Sequence, residues 1–136
     1  MKKVLLFLLL ALVAIFIFSC GSGGGGCDHT PVISNLNFNP TSSPQGISTQ
    51  VNITFDFTDS GGDVATGTLI GYDSAMNEMV RGTVAIYGAG GITADTIIII
   101  AVTDPSEPAG QYYFGVFITD SQGCSSNELQ GPFTIN

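Results

Sequence analysis

Between Gln50 and Asp59 the chain alternates strictly, with Val51, Ile53, Phe55 and Phe57 apolar and Asn52, Thr54, Asp56 and Thr58 polar. Period two places the first set on one side of an extended chain and the second on the other. That is a strand with one face in a core and one in water, the arrangement antiparallel sheets permit. Beyond residue 20 no long window carries apolar residues at i, i+3, i+4 and i+7, so no amphipathic helix is expected there. Extended segments are expected at Val32 to Phe38, Val64 to Tyr72, Glu78 to Tyr87, Thr96 to Thr103, Tyr112 to Ile118 and Leu129 to Ile135. Asn39-Pro40, Asp59 to Asp63, Asp73 to Asn77, Gly88 to Gly91, Asp104 to Gly110 and Asp120 to Gly123 separate them with turn-forming residues. Thr41 to Gly46 is loop chemistry, the glycines of Val64 to Tyr72 leave that segment's inward face open, and Pro132 suits an edge. About seven short strands with turns every eight to twelve residues make an all-β chain, a single antiparallel β-sandwich.

Ahead of this lies a different kind of sequence. Lys2 and Lys3 precede an unbroken apolar run, Val4 to Phe18, and Ser19-Cys20 closes it. As a helix, fifteen residues rise only about 22 Å against a hydrocarbon core of roughly 30 Å. No basic cluster follows, only Gly21-Ser22-Gly23-Gly24-Gly25-Gly26, a flexible linker with a reach of roughly 13 Å. A charged start, a short apolar stretch and a small residue at its end make a secretory signal.

Ile17, Phe18, Ser19 and Cys20 resemble the lipobox that ends the signals of bacterial lipoproteins, although Phe18 is bulkier than the small residue usual there. The resemblance implies cleavage before Cys20, a diacylglyceryl thioether on its sulfur, and often an acyl chain on the new amine. Two or three chains hold a protein stably where one does not, since each buried methylene adds about 0.8 kcal/mol. Gly21 supplies no aspartate-type retention signal, so outer-membrane delivery is the expectation in a Gram-negative cell. The expected organisation is a signal over 1–19, a lipidated cysteine and tether over 20–27, and a sandwich over 28–136. The later half is similar to bacterial immunoglobulin-like or PKD-like surface domains. That likeness rests on Gly110-Gln111-Tyr112-Tyr113-Phe114 running into Val116-Phe117-Ile118-Thr119-Asp120, then Gly123 and a last strand. It implies that Tyr112 ties the preceding turn to its own backbone, as a tyrosine corner does. It implies no activity, and the core tryptophan of antibody domains is absent.

With Cys20 taken by lipid, Cys27 and Cys124 remain as an even pair in an oxidising compartment. In a sandwich the start of the first strand and the loop between the last two share one end, so a Cys27–Cys124 disulfide is expected. Removing Lys2 and Lys3 takes the net charge from −8 to −10, with Arg81 the one strong base against eleven acids. Such a surface excludes nucleic-acid binding and attraction to anionic lipid, leaving the acyl chains to hold the membrane. His29 is the single histidine, and no G-x-S-x-G elbow accompanies it, so no catalytic residues, nucleophile or small-molecule substrate are expected. Cys27, His29 and Cys124 lack the fourth ligand and the spacing of a zinc site.

Asp28, Asp59, Asp63 and Asp120 fall at one end of the expected topology. Loop carboxylates can supply calcium with oxygens, and equally they cap their own turns, so no cofactor is required but calcium is open. Ile97 to Ile100 cannot all face one core, because neighbours point to opposite sides. Ile98, Ile100, Tyr113 and Phe117 are therefore the candidates for a partner surface, toward an envelope protein or polysaccharide. The chain reads as a lipid-anchored envelope protein whose sandwich binds or braces. Its rivals are a calcium-stabilised adhesion or matrix module and an accessory subunit of an envelope complex.

Overall fold

The computed structural model describes residues 26–136; the signal, Cys20 and most of the tether lie outside them. Eight strands run in chain order: β1 Val32–Asn39, β2 Ser42–Ser43, β3 Gln50–Thr58, β4 Val64–Tyr72, β5 Glu78–Ala85, β6 Ala94–Val102, β7 Gly110–Asp120 and β8 Leu129–Ile135. They form a three-stranded sheet, β1-β3-β6, facing a five-stranded one, β2-β8-β7-β4-β5. All pairings are antiparallel except β2 with β8. The fold is an immunoglobulin-like β-sandwich. Among the described residues no helix is long and apolar enough to cross a membrane.

The alternating segment is the centre of the small sheet. Val51, Ile53 and Phe55 are completely buried, and Asn52, Thr54 and Asp56 face out. Facing them from the large sheet are Phe114, Val116, Ile118, Phe133 and Ile135, which complete the same core. Phe114 lies 5.3 Å from Phe133 and 5.8 Å from Phe38 between ring centroids, in the tilted arrangement aromatic quadrupoles favour.

Register assigns β4 the face that its sequence leaves open. Gly67, Leu69 and Gly71 stand opposite the inward Ile118, Val116 and Phe114. Larger neighbours fill the space at both glycines. A Cβ on Gly67 would meet Ile99 Cδ1 at 3.0 Å, and one on Gly71 would meet Val80 Cγ1 at 2.8 Å.

Two details depart from the expected elements. Ser42–Ser43, expected as loop, pairs with Thr134 and Ile135, a ladder too short to leave any side-chain period. Pro132 is not on an edge strand as such, because β8 lies between β2 and β7. It occupies the length of β8 that β2 does not reach, where its missing N–H costs nothing. Tyr112 behaves as the resemblance implies: its hydroxyl donates to the Pro108 carbonyl at 2.9 Å.

Candidate functional site

Three places gather chemistry: the acidic end, a small cavity beside Glu107, and the outer edge of β6.

At the acidic end, Cys27 and Cys124 are bridged, with Cα atoms 5.7 Å apart, so Cys27 is held beside the β7–β8 loop. Asp59 is 1% exposed. Its Oδ1 accepts from Gly61 N at 3.1 Å and its Oδ2 from Asp63 N at 3.0 Å. Asp120 Oδ1 accepts from Gln122 N at 2.9 Å and from Cys124 N at 2.8 Å. Asp63 takes a short hydrogen bond from the Ser121 hydroxyl on Oδ2, while its Oδ1 is buried without a partner among the described residues. Asp28 is exposed in the turn after Cys27. The fold therefore brings the predicted aspartates to one end, and it sets both oxygens of Asp59 and Oδ1 of Asp120 on backbone N–H groups of their own turns. Among the described residues no three His, Cys, Asp or Glu side chains converge as a metal's ligands do.

His29 Nδ1 lies 2.9 Å from Ser60 Oγ at this end, both exposed. No carboxylate among the described residues orients the ring's other nitrogen, so the pair lacks the third member that a hydrolytic triad needs.

Sequence reasoning missed Asn127. Its Oδ1 accepts from Ile33 N at 2.9 Å and its Nδ2 donates to Ile33 O at 3.0 Å, which ties β1 of one sheet to the β7–β8 loop of the other. A lone asparagine in a polar loop gives no signal of such a clamp.

Glu107 was also missed. It is 4% exposed, in the turn before β7, and its Oε1 has no partner among the described residues. It borders a water-sized cavity of about 20 Å³ whose walls include Val80, Tyr112, Phe114 and Ile135. Burial, with the nearby charge of Asp104, pushes the Glu107 carboxyl above the ordinary glutamate range. The folded state then holds its proton more tightly than the unfolded chain does. This contribution to stability is full below the ordinary glutamate pKa and is lost as pH rises through the raised one. Replacing Glu107 with Gln will flatten that decline and raise the melting midpoint at neutral pH relative to the parent. A parallel loss in both proteins across the same interval would show that another group titrates.

The partner candidates separate into two kinds. Tyr113 and Phe117 are half-buried on the outer face of the five-stranded sheet. Phe117 has the Arg81 guanidinium 5.9 Å from its ring centroid, and Arg81 is held by Glu78 at 2.8 Å. Tyr113 stands in register between Tyr72 and Pro132. Ile98 and Ile100 are open, 63% and 57% exposed, and Val102 continues their row. Their partners across β3 are Thr54, Asn52 and Gln50, all polar. Behind β6, a groove of about 450 Å³ runs between Val84–Tyr87 and Thr96–Ile100.

No family model matches the chain, and no curated protein matches it significantly. Solved structures do. The PKD domain of an M14-like peptidase from a Thermoplasmatales archaeon is 22% identical with a TM-score of 0.50, over 79% of this chain and 97% of that one. A Niemann-Pick type C2 protein from the Japanese carpenter ant is 12% identical with a TM-score of 0.53, over 89% of this chain and 100% of that one. At these identities the likeness carries the fold.

Proposed function

We propose that the chain is a bacterial envelope lipoprotein whose sandwich serves as a non-catalytic binding or structural module at the membrane. The carrying observation is the run Ile17-Phe18-Ser19-Cys20 followed at once by the glycine tether, with a sandwich beginning just beyond it. In that order the acyl chains hold the membrane, the tether gives reach, and the Cys27–Cys124 bridge fixes where the tether leaves the domain. The scarcity of bases also suits a non-catalytic role: the single histidine is exposed, and among the described residues it meets only a serine hydroxyl. Delivery to the outer membrane follows for a Gram-negative host, since Gly21 offers no retention signal.

The test is processing. Grown with a labelled fatty acid, cells will place label on the wild-type chain and carry it in the membrane fraction. Cys20→Ala will take no label and accumulate as the uncleaved precursor. A Cys20→Ala chain that is still cleaved and still membrane-bound would overturn the reading.

A calcium-stabilised module is the second reading, favoured by one observation, the buried and unpartnered Oδ1 of Asp63. The Asp59 experiment below separates it from the first.

A further inference from the structure

We infer that the free edge of β6 accepts an extended segment of another protein, which adds to the small sheet as a fourth strand. The four sheet edges differ. The outer strand β1 is broken by a bulge between Ser34 and Asn37, with Asn35 in the left-handed region at φ 57°. At β2 the edge is only two residues long. The β5 edge carries the Glu78–Arg81 ion pair and a register shift at Gly71/Tyr72. Bulges, short edges and charges are the devices by which sheets avoid pairing with other chains. Strand β6 is neither bulged nor short, and beyond Asp95 it carries no charge. Its nine residues run in unbroken register with β3 and contain no proline or basic residue, and Asp95 is the only charge. Its outer row from Ile98 to Val102 is β-branched and exposed.

The space beside β6 has the form of a missing strand. By register with Gly67, Leu69 and Gly71, the inward face of β5 is Val84, Gly82 and Val80, and all three are only half-buried. The groove between Val84–Tyr87 and Thr96–Ile100 leaves Val84 of that face uncovered, with Ile86 beside it. A strand hydrogen-bonded to β6 would send alternate side chains into this groove and the others beside Ile98 and Ile100.

Charge specifies the occupant further. The segment is apolar on the groove side and basic at the end that meets Asp56 and Asp95. Hydrogen bonds from Asn35 and then Thr96 hold the Asp56 carboxyl below the ordinary range, which keeps that corner negative. The domain itself offers only Arg81 as a strong base. The chain's own tether does not fit, because Gly21 to Gly25 bring no apolar side chains.

This inference rests on the binding-module reading and not on the lipid anchor, so its failure would leave the Cys20 result standing. The probe is a synthetic peptide of alternating valine and threonine with lysines at both ends, titrated onto the full chain in detergent. It is compared with a glutamate-ended version and with a shuffled isomer lacking alternation. The lysine-ended peptide will bind, and the glutamate-ended one will bind at least roughly tenfold more weakly. Amide exchange will slow at the β6 positions that face away from β3. Ile98→Lys, and independently Ile100→Lys, will weaken binding at least roughly tenfold with the melting midpoint unmoved, since both side chains are exposed. Equal binding of the shuffled peptide, or β6 amides that do not slow, would overturn the inference. So would a chain that pairs with itself through β6 and thereby excludes the peptide.

Discussion

Replacing Cys27 and Cys124 together with alanine will lower the melting midpoint of the domain by roughly 10–20 °C while leaving its β-sheet circular dichroism intact below the transition. The bridge joins residues 97 apart. In the chain-entropy model, closing a loop of about that length withholds about 4.7 kcal/mol from the unfolded ensemble, and measured values are commonly 2–4 kcal/mol. The native state loses little else at Cys27, which is exposed, but Cys124 is buried and its N–H is held by Asp120. Alanine keeps that N–H, so the hydrogen bond survives the substitution. Thermal melts of the double variant and of the parent with and without reductant provide the check. Reductant should bring the parent down to the variant's midpoint and leave the variant where it is. If the variant melts within a degree or two of the parent, the bridge does not constrain the unfolded chain, and the entry of the tether is fixed by something else.

How far the sequence carried depends on what each segment had to signal with. The centre of each sheet was legible because a strand with one dry face must alternate, as β3 and β7 do. The pairing of Cys27 with Cys124 was likewise readable from where a sandwich puts its ends, and the Tyr112 hydroxyl bond from the likeness to immunoglobulin-like domains. Strand β4 was found, but its inward face was not, because Gly67 and Gly71 carry no side chain to mark a side. The information lies in the neighbours, in Ile99 across the core and in Val80 and Ile86 alongside, which occupy the space a Cβ would need. The isoleucine run of β6 showed that two of its members must face outward. Only the sheet order shows that they do so on an edge. Tyr113 and Phe117 looked equally suited to a partner until register placed them among Tyr72, Arg81 and Pro132. Glu107 and Asn127 gave no signal, because an acid or an amide in a polar turn looks the same whether solvent or protein surrounds it.

At the acidic end, replacing Asp59 with alanine will destabilise the domain by about 1–3 kcal/mol, by the same amount in calcium as in chelator. Asp59 is 1% exposed, and its two carboxylate oxygens accept the N–H groups of Gly61 and Asp63. Alanine removes both acceptors. Gly61 is exposed and its N–H can turn to water, but Asp63 is half-buried, and a buried donor left without a partner costs about 1–3 kcal/mol. The damage reaches beyond the turn, because Gly62 O accepts from Gly91 N at 2.7 Å and Asp59 N donates to Thr93 O at 2.8 Å. The β3–β4 turn thereby positions the approach to β6. Melting the parent and the variant, each in calcium and in chelator, separates the two roles open to these aspartates. Equal losses in both media mean that the carboxylate holds a turn. If calcium raises the parent's midpoint and the variant abolishes that rise, the acidic end is a metal site, with the unpartnered Asp63 Oδ1 as one of its ligands. That outcome would move the reading of the whole chain toward a calcium-stabilised module. The equal loss is expected because both oxygens of Asp59 are already turned onto backbone N–H groups, and among the described residues no three acidic, histidine or cysteine side chains converge around it.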